Sequence, residues 1–125
     1  MTPRSITLIG APTDVGAADR GASMGPEALR VAGPREARMS RGLKVHDRGN
    51  RQGPITPMHP PEWGYRHLDE GPEGIRHVFD AVSGELDDGR LPILLGGDHC
   101  LAIGSIGAVA AHCRRVGKRL RVLWL

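Results

Sequence analysis

The stretch that decides the fold is Leu91–Ser105, LPILLGGDHCLAIGS. An apolar run ends in two glycines, and an aspartate and a histidine follow at once. A run that is apolar at every position, not at alternate ones, reads as a strand buried on both faces, which is the mark of a parallel sheet in an α/β protein. Such sheets present ligands outside the carboxyl ends of their strands. Gly96 and Gly97 let the backbone turn sharply and leave room for close approach. Asp98 and His99 then stand at the strand's carboxyl edge, where a helix begins. A neutral imidazole there suits a divalent first-row metal, and the adjacent carboxylate either binds too or holds a neighbouring group in place. An aspartate at a helix start is equally an N-cap, and the histidine beside it can be simply hydrogen-bonded. The residues by themselves leave both readings open. The motif lacks the lysine and spacing of a P-loop and is not GxGxxG, and adjacent Cys100 and His99 project in different directions, which argues against a Cys–His dyad.

Outward from this stretch, strand and helix signals alternate. SITLIG (Ser5–Gly10) is a short buried strand, followed by the glycine-rich loop APTDVGAADRGASMG. In that loop Asp14, Asp19 and Arg20 are candidates for substrate contact or for local turn bonds. GPEALRVAG predicts a helix, with Pro26 at its first position, Glu27 in its first turn and Gly33 as its stop. PREARMSRG suggests a second short helix, and LKVHDRG (Leu43–Gly49) a weaker strand. Residues 50–71, rich in Pro, Gly and His, read as a variable surface loop. Pro72 to about Leu86 forms a helix whose Ile75, Val78, Phe79, Val82 and Leu86 share one face. A helix from Leu101 to about Val116 carries a small-residue face, Ala102, Gly104, Ser105 and Gly107, suited to close packing on the sheet. LRVLWL (Leu120–Leu125) is expected as a last strand. The pattern is that of an α/β parallel sheet.

Composition narrows the function classes. A chain of 125 residues is one domain by length. It has no apolar stretch long enough to span a bilayer and no signal peptide. The net charge of +3 is spread between acids except in RRVGKRLR (Arg114–Arg121). That run carries no interleaved aromatics for base stacking, and it fits the cationic end of a helix. No nucleic-acid partner is expected. Cys100 and Cys113 are too few for a disulfide scaffold, and a cytoplasmic setting is the simplest fit. His46, His59, His67, His77 and His112 show no metal-ligand spacing.

Three pieces, LIGAPTDVGAADRGASMGPEALRVAG (Leu8–Gly33), LPILLGGDHCLAIGSIGAVA (Leu91–Ala110) and the closing VLWL, resemble in order the start of the arginase family, the manganese-dependent ureohydrolases. The resemblance implies a three-layer α/β sandwich around a parallel sheet. Residues 1–125 would be the N-terminal part of a single domain, cut after the strand that ends at Leu125. It also implies a binuclear Mn²⁺ centre at the sheet's carboxyl edge, which activates a water for attack on the guanidinium carbon of L-arginine and yields L-ornithine and urea. The full-length family member is expected to be a homo-oligomer. By residue match, His99 is a ligand of one manganese, and Asp98 has no ligand role. Arg20 and Gly21 fall in the first-loop motif near the site mouth, and no catalytic or substrate-binding residue is assigned. The family's later ligand motifs, DAHxD and a DxD-type motif, are absent from these 125 residues. One imidazole cannot hold two divalent ions, so this chain is expected to be inactive alone. The alternatives are an agmatinase-like enzyme acting on another guanidino compound, a non-catalytic remnant that associates through its uncovered final strand, and a nucleotide- or nucleic-acid-binding α/β module.

Overall fold

In the computed structural model, which describes residues 5–51 and 60–124, the first seven of these residues form the central strand. This strand, β1 (Ser5–Ala11), is followed by a 3₁₀ turn at Ala22–Met24 and by helices α1 (Gly25–Val31) and α2 (Pro34–Met39). Strand β2 (Lys44–Asn50), helix α3 (Glu70–Asp87), strand β3 (Leu91–Gly96) and helix α4 (Leu101–Arg115) complete the order. The sheet order is β2-β1-β3, with both pairings parallel. The boundaries follow local chemistry. Pro26 opens α1 where its missing N–H costs nothing, and Gly33 ends the helix pair's first member with φ 75°, a left-handed conformation that favours glycine.

Alternation along β1 sorts the core onto the two faces of the sheet. Ile9 and Ala11 pack with Val78 and Val82 of α3 and with Leu101 and Ala108 of α4. On the opposite face Ile6 and Leu8 pack with Leu95, supported by Leu43, Val45 and Ile93. Helices α1 and α2 stand against β1, β3 and β2. Thr7, fully buried on the α3 face, donates its hydroxyl to Glu85 Oε2 at 2.8 Å. Glu85 also receives Arg48 Nε at 2.9 Å and Arg90 Nε at 2.5 Å. Burial raises the Glu85 carboxyl, but the bonds from Arg90, Thr7 and Arg48 outweigh it and leave its pKa below the ordinary value.

Two expectations are corrected. The small face of α4 packs on α3 and not on the sheet: a Cβ at Gly104 would lie 2.3 Å from the Ile75 carbonyl oxygen, and one at Gly107 would meet the Phe79 ring at 3.6 Å. The last strand does not form, since residues 118–124 have no strand structure. Its apolar composition is right, but a strand needs a hydrogen-bonding neighbour, and this segment has none among the described residues. Leu125 lies outside them. So do residues 52–59, which include His59 and most of the first half of the expected surface loop. The described remainder of that loop is exposed from Pro60 to Arg66 and contains a tight turn in which Glu62 and Tyr65 exchange backbone bonds.

Candidate functional site

The β1–β3 register builds the site. Ala11 pairs with Gly96, so the two strands end at the same level and their loops leave the sheet side by side. Backbone bonds then stitch the loops together, from Gly97 N–H to the Ala11 carbonyl at 3.2 Å and from Asp98 N–H to the Thr13 carbonyl at 3.3 Å. The approach is so close that glycine is required. A Cβ at Gly97 would sit 2.3 Å from the Thr13 oxygen, and one at Gly25 would sit 2.3 Å from the Gly96 oxygen.

Asp98 is not the helix N-cap. Cys100 holds that position, with no side-chain cap bond to the helix. The Asp98 carboxylate is shared between two loops: Oδ1 accepts the Cys100 N–H at 2.8 Å, and Oδ2 accepts the Gly16 N–H at 2.7 Å. The Cys100 thiol is pushed up to about 12, first by burial and then by its hydrogen bond to the Asp98 carboxylate and that group's charge.

Asp14 organises the rest of the first loop. It is buried, and its Oδ1 accepts the N–H groups of Ser23 at 2.7 Å and Gly21 at 3.1 Å, while Oδ2 accepts the Ser23 hydroxyl at 2.8 Å. The Ser23 N–H is the main cause of its lowered pKa. Burial opposes the shift, and the Ser23 hydroxyl, Gly21 and the Arg20 charge add to it. Of the two readings open for Asp14, the local turn bond is the one realised. Asp19 and Arg20 are exposed.

His99 is exposed at the rim, and its imidazole lies against the Trp124 indole, with ring centroids 5.4 Å apart and planes tilted by 32°. Among the described residues no group of three His, Cys, Asp or Glu side chains is placed to hold a metal ion. Asp98, the nearest carboxylate in sequence, spends both oxygens on backbone donors. The described residues therefore do not by themselves fit a binuclear manganese centre, and His99 is its one candidate ligand. The structure brings together Asp98, His99, Gly96, Gly97 and the Thr13–Gly16 turn. It brings none of His46, His67, His77 and His112 into a group of three such side chains.

Of the readings open for Asp98, holding neighbouring groups in place is the one seen, and the N-cap is not. An Asp two residues before an amide suggests the local bond to Cys100, but nothing local announces the partner at Gly16, 82 positions away. The contact of Trp124 with His99 had no signal either.

Comparison with known proteins agrees with this arrangement. The sequence model of the Arginase family matches residues 4–125. The arginase of Brevibacillus brevis is 34% identical over 114 residues, covering 91% of this chain and 38% of that protein. Among solved structures, the native arginase of Bacillus caldovelox superposes with a TM-score of 0.79 at 34% identity, covering 87% of this chain and 37% of the other. The Entamoeba histolytica arginase, solved in complex with L-ornithine, superposes with a TM-score of 0.73 at 25% identity, covering 90% of this chain and 38% of the other. The chain thus spans less than half the length of the relatives it matches.

Proposed function

This chain belongs to the arginase family, and from that premise we propose that it forms the part of an L-arginine hydrolase that carries the first loop and the first metal-contacting imidazole. The reaction is hydrolysis of the guanidinium group to L-ornithine and urea, with manganese as cofactor. The observation that carries the reading is the rim itself. Two adjacent parallel strands end in register, and a glycine-lined loop pair there presents His99 outward. Open α/β sheets bind their ligands at this position.

The chain contributes His99 as one donor and the first loop as a wall. The described residues gather no further carboxylate and imidazole donors around His99 of the kind a two-metal centre needs, and the 125 residues alone are proposed to carry no turnover. The whole protein is proposed to be a cytoplasmic homo-oligomer. No helix among the described residues is long and apolar enough to cross a membrane.

Two assays test the reading. The 125-residue polypeptide with Mn²⁺ and L-arginine is expected to release no urea, and metal-dependent turnover would overturn the claim of inactivity. A chimera joining residues 1–125 to the remaining portion of the Bacillus caldovelox arginase is expected to release urea from L-arginine and not from agmatine. Substituting His99→Ala there should lower the rate by several orders of magnitude. A folded chimera that prefers agmatine, or that ignores His99→Ala, would overturn the substrate or the ligand assignment respectively.

A further inference from the structure

Asp98 is adjacent to the one candidate ligand, yet it points both of its oxygens at backbone amides of two different loops. We propose that Asp98 is a positioning residue: its carboxylate latches the first loop to the β3–α4 loop, so that the backbone bearing His99 and the backbone bearing Asp19 and Arg20 form one rigid rim. The Cys100 N–H on Oδ1 fixes the turn through His99 from within, and the Gly16 N–H on Oδ2 ties that turn to the first loop.

The latch is sterically exclusive. A Cβ on Gly16 would fall 2.7 Å from Asp98 Oδ1 and 3.0 Å from the Cys100 Cβ, so glycine at position 16 is what lets the carboxylate close on the amide. Ala17 N–H bonds the Asp14 carbonyl at 2.9 Å, and the Asp14 carboxylate holds Gly21 and Ser23. Asp98 therefore grips one end of a loop whose other end Asp14 has already ordered. Charge makes the grip strong, because a carboxylate accepting backbone N–H groups forms hydrogen bonds roughly twice as strong as neutral ones. The inference rests on reading this rim as part of the reaction centre, but its test needs no turnover, so the two can fail separately.

The test is amide hydrogen exchange by NMR on the 125-residue chain, with Asp98→Ala, Asp98→Asn and Gly16→Ala. In Asp98→Ala, exchange at Gly16 and Cys100 should quicken at least tenfold relative to core amides of α3 such as Val82, and the His99 ring and Trp124 indole signals should shift together. Asp98→Asn keeps one oxygen as acceptor, so protection should return at one of the two amides and not at both. Gly16→Ala keeps the carboxylate intact and should free the Gly16 amide and move the His99 signals, which keeps the proposal testable if an Asp98 variant does not fold. Unchanged Gly16 exchange in the folded variants would overturn the latch. So would a uniform quickening of all amides, which would mark a purely global role, and so would an Asn variant indistinguishable from Asp98.

Discussion

Gly104→Ala and Gly84→Ala place the same chemical change in two neighbouring helices, and the structure predicts opposite signs. By helix propensity alone each should stabilise the protein, because alanine is better than glycine in a helix interior by about 1 kcal/mol. Gly84 is exposed on α3, and a Cβ there meets nothing within 4 Å. The propensity gain is then realised in full. At Gly104 the new Cβ would lie 2.3 Å from the Ile75 oxygen and 3.2 Å from the Phe79 nitrogen. Both obstacles are backbone atoms of α3, so no rotamer change relieves them, and α4 must retreat by roughly 1 Å. A gap of that size forfeits a quarter to a half of each dispersion contact it opens, along the interface where Val78 and Val82 meet Leu101 and Ala108. Overpacking of this kind costs about 1–3 kcal/mol. Its upper half applies here because backbone is displaced, so the net effect after the propensity gain is about 1–2 kcal/mol of destabilisation. Urea denaturation followed by far-UV circular dichroism reads this directly. With a slope of roughly 2 kcal/mol per molar, the Gly104→Ala midpoint should fall by about 0.5–1 M and the Gly84→Ala midpoint should rise by about 0.5 M. A Gly104→Ala midpoint at or above the wild-type value would refute the close α3–α4 crossing.

Glu85→Gln removes the charge that Arg48 and Arg90 share, and should cost about 1–3 kcal/mol, discounted because both guanidiniums are partly exposed. Since the folded Glu85 pKa lies below its ordinary 4.5, its contribution is complete above that pH and is lost as pH falls through the folded value. Urea midpoints of wild type and Glu85→Gln should therefore converge on acidification below 4.5, and a constant gap down to pH 2 would contradict the linkage. Arg30→Lys keeps the charge but loses the two-pronged grip of Nε and Nη2 on Asp47 at 2.9 and 3.0 Å. A loss of about 1 kcal/mol is expected, and no loss would show that the pair is interchangeable with a simple ion contact. With the Cys100 thiol near 12, its thiolate fraction at pH 8 is on the order of a thousandfold below that of an ordinary cysteine. In a Cys113→Ala background, labelling by a disulfide reagent should be slower by roughly 30- to 60-fold, because the more basic thiolate is also the better nucleophile, and ordinary reactivity would mean that the thiol does not sit against Asp98.

Much of the fold was legible because it is written locally. Continuous apolar runs marked β1 and β3, the three-four spacing of Val78 and Val82 marked the buried stripe of α3, and Pro26 and Gly33 bracketed α1 within a residue or two of its observed ends. Even β2, mostly exposed and poor in apolar residues, was expected as a weaker strand over Leu43–Gly49, one residue from its observed ends. What failed were two statements about a packing partner. The small residues of α4 announce close packing but do not name the surface, and Gly104 found α3 where a sheet was expected. The apolar composition of LRVLWL announces a strand, but a ladder is a property of two chain segments, and Val122 and Leu123 stay exposed without one.

The candidate site divides along the same line, and the division explains why a four-residue motif identifies a place better than a mechanism. GGDH specifies a turn at the end of a strand, which is local backbone chemistry. Whether that turn becomes one side of a site depends on which strand lies beside it and at what level that strand ends. The Ala11–Gly96 pairing answers both questions. A slip of one residue would turn every side chain of β3 to the other face and would carry Gly97 away from Thr13, where the absence of a side chain is needed. The glycines of the motif thus record a long-range register, and Asp98 bonds across that register to Gly16. His99 is then held by geometry that its own neighbours in sequence do not contain. It follows that transplanting GGDH alone into another parallel sheet would reproduce the turn but not the rim, whereas transplanting it together with Thr13–Gly16 would reproduce both.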